Sequence, residues 1–115
     1  MDKDILLDLA TETVRRYGEL PSDFAEKMAK RIRRKFAFKV EPEKINSLAF
    51  HYKEIYRAGA VTLKDYLNPP KGKYSAPGDV DFENFLCNLA KKFPEDDFDI
   101  LQKIGGCIIY YEYLR

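Results

Sequence analysis

Between residues 27 and 39 the chain places Lys27, Lys30, Arg31, Arg33, Arg34, Lys35 and Lys39 without one acidic residue, and threads apolar side chains through the same stretch. At about 100° per residue, Ala25, Met28, Ala29, Ile32 and Phe36 gather on one side of a helix, with Lys27, Lys30, Arg31 and Arg34 opposite. The spacing therefore predicts an amphipathic helix within residues 22–39. Its apolar stripe needs a protein surface to cover it. Its like charges at i, i+3, i+4 and i+7 repel one another unless water, salt or a polyanion screens them. A phosphate backbone supplies that screening and adds affinity by releasing condensed counterions. A solvated outer face would carry the same pattern, so the charge run names a class of partner and leaves solvation as the competing reading.

The net charge is only +1, so this basicity is local. It is balanced in the last third by Asp79, Asp81, Glu83, Glu95, Asp96, Asp97 and Asp99, which predicts a bipolar surface: a basic face for nucleic acid and an acidic end for protein neighbours or solvent. With 115 residues, 45% of them apolar, the chain can bury a core without disulfide or metal support and is expected to form a single domain over residues 1–115. Cys87 and Cys107 stand apart in apolar surroundings with no CxxC motif, and read as buried free thiols in a reducing compartment. No secretory signal opens the sequence and no apolar run approaches the roughly 20 residues that span a bilayer, so the expected location is cytoplasmic and off the membrane.

The remaining segments are helical in period. Ile5, Leu6, Leu9, Ala10, Val14 and Tyr17 form a first helix that Gly18 would stop. Ser22 is the expected N-cap of the basic helix. Pro42 suits the first turn of a third helix carrying Ile45, Leu48, Ala49, Tyr52, Ile55 and Tyr56, with Gly59 as its end. Phe50, Lys53 and Arg57 lie together off that stripe, where a ring flanked by cations could stack on a base; packing of Phe50 under a neighbouring helix competes. Thr62 and Asp65 have capping-box spacing for a short helix, and the Pro- and Gly-rich residues 68–78 read as an exposed loop. Asp79 or Asp81 would cap a helix bearing Phe82, Phe85, Leu86, Leu89, Ala90 and Phe93. Pro94 and the acidic cluster would start a last helix, apolar nearly all round, that must be central or face another subunit, a second copy included. Gly105 and Gly106 imply a close backbone crossing or a break, and residues 107–114 could instead form a strand. The sum is an all-α bundle of about five helices.

Catalytic chemistry finds little support. His51 is the only histidine, which rules out a histidine metal cluster and disfavours serine or cysteine triads, and it reads as a partly buried structural residue. The acidic groups near Asp79 and Glu95 lack a calcium-loop pattern, and favourable placement at helix starts accounts for them. Phosphate-cradling and dinucleotide glycine motifs do not occur. The expectation is a non-enzyme with no cofactor and no metal.

The last third, with Phe82, Phe85, Phe93, Asp97, Phe98 and the ending Ile108, Ile109, Tyr110, Tyr111, Glu112 and Tyr113, resembles the carboxyl end of the small helical subunit of multi-subunit CRISPR effector complexes, notably type III-A. The resemblance implies a non-catalytic, all-helical subunit that stacks beside other protein subunits and contacts a target or displaced strand through basic residues. Lys27, Lys30, Arg31, Arg34 and Lys35, with Lys53 and Arg57 on the next helix, are the candidates for that contact with single-stranded RNA or DNA. Such contacts position a strand without reading its bases, and specificity would come from a guide paired elsewhere. Two alternatives remain: a protein-interaction adaptor with a merely solvated basic face, and a helix-turn-helix protein that delivers the basic helix into a DNA groove.

Overall fold

Asp2 opens the first helix by accepting the N–H of Ile5 on its carboxylate at 3.1 Å. In the computed structural model, which describes residues 1–15, 19–69 and 72–114, five α-helices follow: α1 Lys3–Val14, α2 Phe24–Phe36, α3 Pro42–Thr62, α4 Phe82–Lys92 and α5 Phe98–Ile109. The architecture is all-α. Among the described residues the only β pairing is an isolated bridge between Leu67 and Val80. Residue contacts divide the chain into two units, Met1–Lys53 and Glu54–Arg115.

The first unit holds α1, α2 and the opening turns of α3. Alpha-helical spacing puts Ile5, Leu9 and Val14 on the buried side of α1, and Phe24, Ala25, Met28 and Ile32 on the buried side of α2, against which α1 packs. Full burial of such a side chain contributes about 1.5–3 kcal/mol. Thr13 is also buried, its hydroxyl donating to the Leu9 carbonyl at 2.7 Å. Ser22 is not the N-cap of α2. That position belongs to Asp23, which makes no cap bond with its side chain and pairs with Lys27 at 3.1 Å instead. At its other end α2 is stopped by Ala37 in the left-handed region (φ 52°), whose N–H reaches the Arg33 carbonyl at 3.0 Å. The expected end of the first helix, at Tyr17 and Gly18, lies outside the described residues, as do Pro70 and Lys71 of the loop.

The second unit begins within α3. Gly59 does not end this helix, which continues to Thr62. The residue serves packing: a Cβ there would stand 2.5 Å from Ile108 Cδ1 and 3.3 Å from Phe85 Cζ. Thr62 does not start a capping box either, since its hydroxyl donates backwards to the carbonyls of Ala58 and Gly59, and the 3-10 turn Leu63–Tyr66 follows. The described ends of the loop meet in a short neck in which Asn68 N–H donates to the Asp79 carbonyl at 2.6 Å and Asp81 N–H to the Tyr66 carbonyl at 2.7 Å. Asp79, the other candidate for the cap of α4, instead closes the 3-10 turn Pro77–Asp79. It is buried, and its carboxylate accepts the Ala76 N–H at 3.0 Å and the Tyr113 hydroxyl at 2.8 Å. That hydrogen bond, with burial and the nearby carboxylate charge, pushes the Tyr113 phenol above its ordinary pKa. Asp81 takes the cap of α4 by accepting the Asn84 N–H.

Phe85, Leu86 and Leu89 of α4 are buried, as are Ile100, Leu101, Ile104 and Ile108 of α5. The two helices approach closely because Gly105 presents no side chain: a Cβ there would come within 2.8 Å of Leu86 Cδ2. Helix α5 begins at Phe98, within the acidic cluster as expected: Asp97 caps it, its carboxylate accepting the Asp99 N–H at 2.8 Å, and Asp99 lies in the first turn. Residues beyond Ile109 continue as the π-helical turn Tyr110–Leu114, tied to α3 by a 2.7 Å bond from the Tyr56 hydroxyl to Glu112. The strand alternative is therefore overturned: residues 107–109 belong to α5 and residues 110–114 to the π-helical turn. Cys87 is exposed, correcting its expected burial, because it falls between the buried positions of α4; Cys107 is half-buried, and burial pushes its thiol pKa up.

Candidate nucleic-acid interface

The basic residues of α2 separate into two sets, and α1 decides the division. Asp8 and Glu12 occupy i and i+4 positions on α1, and Arg31 and Lys35 occupy i and i+4 positions on α2, so two adjacent turns of each helix offer complementary charge. Arg31 closes a fork on Asp8, with Nε donating to Oδ2 at 2.8 Å and Nη2 to Oδ1 at 3.0 Å. Lys35 Nζ reaches the same carboxylate at 3.3 Å, and Glu12 stands 3.8 Å from Arg31 Nη2. The Arg31 fork holds the Asp8 carboxyl below its usual range, outweighing the opposing effect of burial. Arg31 and Lys35 thus join the two helices.

Lys30, Arg33 and Arg34 form the other set. All three are exposed and make no ion pair among the described residues. Neighbours three or four residues apart on a helix lie about 5–6 Å apart at Cβ, where two unit charges in water repel by roughly 0.7 kcal/mol. That repulsion is affordable on a stable helix and is relieved by an anion lying along it. Lys27 extends the face, its side chain 76% exposed and its partner Asp23 largely in solvent, a pair worth little when a stronger anion competes. Exposed Lys39 follows just after the helix.

On α3, Lys53 is half-buried and has a partner within the chain, while Arg57 is exposed. Phe50 is 64% exposed, so it does not pack under a neighbouring helix. Arg33 was not among the residues selected from the sequence, because it lies to the side of the stripe opposite the apolar face. The signal for it was available: once Asp8 and Glu12 claim one flank of α2, the other flank is the one left to solvent.

The described residues hold no group of three or more His, Cys, Asp or Glu side chains arranged to hold a metal. A cleft of about 370 Å³ beside the basic face is lined by Glu12, Asp23, Arg15, Lys27 and Arg31, and its mixed charge suits neither anion nor cation alone. A second, of about 400 Å³, collects Asp65, Asp81, Asn84, Cys87, Asn88 and Lys91 in the second unit. No described helix is long and apolar enough to cross a membrane. Comparison with family models, with curated proteins and with solved structures found no match.

Proposed function

We propose that this chain is a non-catalytic, cytoplasmic subunit that binds the phosphate backbone of a nucleic acid along the outer face of α2. The observation that carries the proposal is the outward set Lys30, Arg33 and Arg34, without carboxylate partners among the described residues, while Arg31 and Lys35, on the same helix, pair with Asp8. A phosphate strand repeats negative charge at a spacing that three or four consecutive helical positions can follow, and it compensates repulsion that the chain itself leaves standing. The face has no Asn or Gln among its exposed members, so it suits backbone contact rather than base reading. The resemblance of the last third to small subunits of CRISPR effector complexes agrees with such a role, in which a guide elsewhere supplies specificity and other protein subunits supply avidity.

Fluorescence anisotropy with single-stranded RNA, single-stranded DNA and duplex, at several salt concentrations, tests the proposal. The triple variant Lys30→Ala, Arg33→Ala, Arg34→Ala touches no buried atom and is expected to keep its helical circular dichroism. Loss of three phosphate contacts should flatten the slope of log affinity against log salt by about 2 on a single strand. Equal binding by the triple variant, or the absence of salt-dependent binding by the parent chain, refutes the proposal.

A further inference from the structure

Helix α5 has a second face that none of the described residues covers. Phe98, Gln102, Gly106 and Tyr110 recur every fourth residue and are all exposed, Phe98 by 51% and Tyr110 by 54%. Gly106 has no packing reason within the chain: a Cβ there would meet no atom within 4 Å, whereas the neighbouring Gly105 is explained by Leu86. An exposed glycine in a helix interior costs about 1 kcal/mol relative to alanine. The face therefore combines a half-bare aromatic ring with an open notch eight residues, or roughly 12 Å, further along the same helix.

We infer that this face pairs with its own copy, α5 against α5, in an antiparallel two-fold dimer. An antiparallel pair with its axis at Gln102 brings residue 98 opposite residue 106. The Phe98 ring of each copy then fills the notch over Gly106 of the other, twice by symmetry, and the two Gln102 amides meet at the axis. In an antiparallel pair each helix flank faces the same flank of the other copy. Asp99 and Lys103 share one flank and carry opposite charges. With this axis Asp99 falls within two residues' rise, roughly 3 Å along the axis, of Lys103 in the second copy, so two cross-pairs form. A parallel pairing would set Phe98 against Phe98 and carry the Asp99 and Lys103 flanks of the two copies to opposite sides of the seam, where no cross-pair forms. The charge order thus selects a second copy in antiparallel register as the occupant. One helix pair lies at or below the low end of the roughly 1,200 Å² of a stable interface, so the dimer should be a weak, concentration-dependent one.

Sedimentation velocity of the full chain from about 5 µM to 1 mM tests this. The expected result is a weight-average coefficient that rises from monomer to dimer across that range. Gly106→Leu enters open space in the monomer and replaces glycine by a better helix former, so its Tm should hold or rise while dimerisation weakens at least about tenfold. Asp99→Lys and Lys103→Asp should each weaken the dimer, and the double exchange should restore it. A chain that stays monomeric at 1 mM, a dimer indifferent to Gly106→Leu, or a double exchange that fails to restore association overturns the inference. None of these readings uses nucleic acid, so the outcome stands apart from the fate of the α2 proposal.

Discussion

Replacing Asp8 by Asn keeps the shape of the side chain and removes the charge that Arg31 and Lys35 share. The Asp8 side chain is 11% exposed, against 37% for Arg31 and 52% for Lys35. The Lys35 contact, largely in water, is worth only a few tenths of a kcal/mol. The Arg31 fork, discounted for the solvent that reaches the guanidinium, is worth about 1–1.5 kcal/mol. Asp8→Asn should therefore cost about 1.5 kcal/mol at pH 7, seen as a drop of about 5 °C in Tm by circular dichroism. The gap should depend on pH in a defined sense. Asp8 has a lowered pKa in the folded protein, so as pH falls the unfolded chain takes up the proton first, near its ordinary value of about 3.9. The stabilisation is complete above that value and is lost as pH falls through the folded pKa. Other carboxylates titrate in both proteins, so the difference between parent and variant isolates Asp8. Asp8→Asn also frees Lys35, while Arg31 keeps Glu12 at 3.8 Å, which should steepen the salt slope on a single strand by about 0.7. A variant as stable as the parent at pH 7, or a gap that persists unchanged to pH 2, would falsify the account of the α1–α2 junction.

Ala37→Gly should stabilise the chain by about 0.5–1 kcal/mol in denaturant titration, because relief of the left-handed conformation at Ala37 exceeds the extra freedom glycine gains when unfolded; a loss would contradict the cap geometry. Gly59→Ala should lose about 1 kcal/mol, since crowding against Ile108 and Phe85 outweighs the better helix propensity of alanine, and a gain would show that the helices can part there at no cost. A maleimide should label exposed Cys87 well before Cys107, whose thiol is shielded and has a raised pKa; equal rates would contradict their placement. Tyr113→Phe should speed proteolytic cleavage within residues 72–78, and in the parent the same protection should persist below the ordinary tyrosine pKa and fail as pH rises through the raised one.

The helical period carried the fold because a stripe such as Ile45, Ala49 and Tyr52 can be buried only if the chain coils at 3.6 residues per turn. The ends were less legible. Ser22 and Asp23 are both good caps, and local sequence does not say that the Asp23 carboxylate will be drawn to Lys27. Gly59 looks like a stop when α3 is considered alone. Its purpose emerges only when Ile108, almost fifty residues later, arrives at the same place. The basic helix was visible as a helix, yet its division into structural and outward cations depended on Asp8 and Glu12, acids that look like solubilising charge until α1 is laid beside α2. The apolar character of α5 nearly all round hides which side is outward, and Tyr110 is exposed because it continues the face of Phe98, Gln102 and Gly106.

The neck between Leu67 and Val80 also bears on how this protein can vary. With the two backbone bonds there and the buried Asp79 carboxylate fixing where the chain departs and returns, the length of the segment between them is uncoupled from the rest of the second unit. Doubling such a segment costs only about 0.6 kcal/mol in closure entropy. Residues 72–74, ahead of the Ala76–Asp79 contact, are thus a natural port for insertion: a peptide tag, a fluorophore-bearing sequence or a whole binding module could be spliced there, with the helices registering little more than a longer tether.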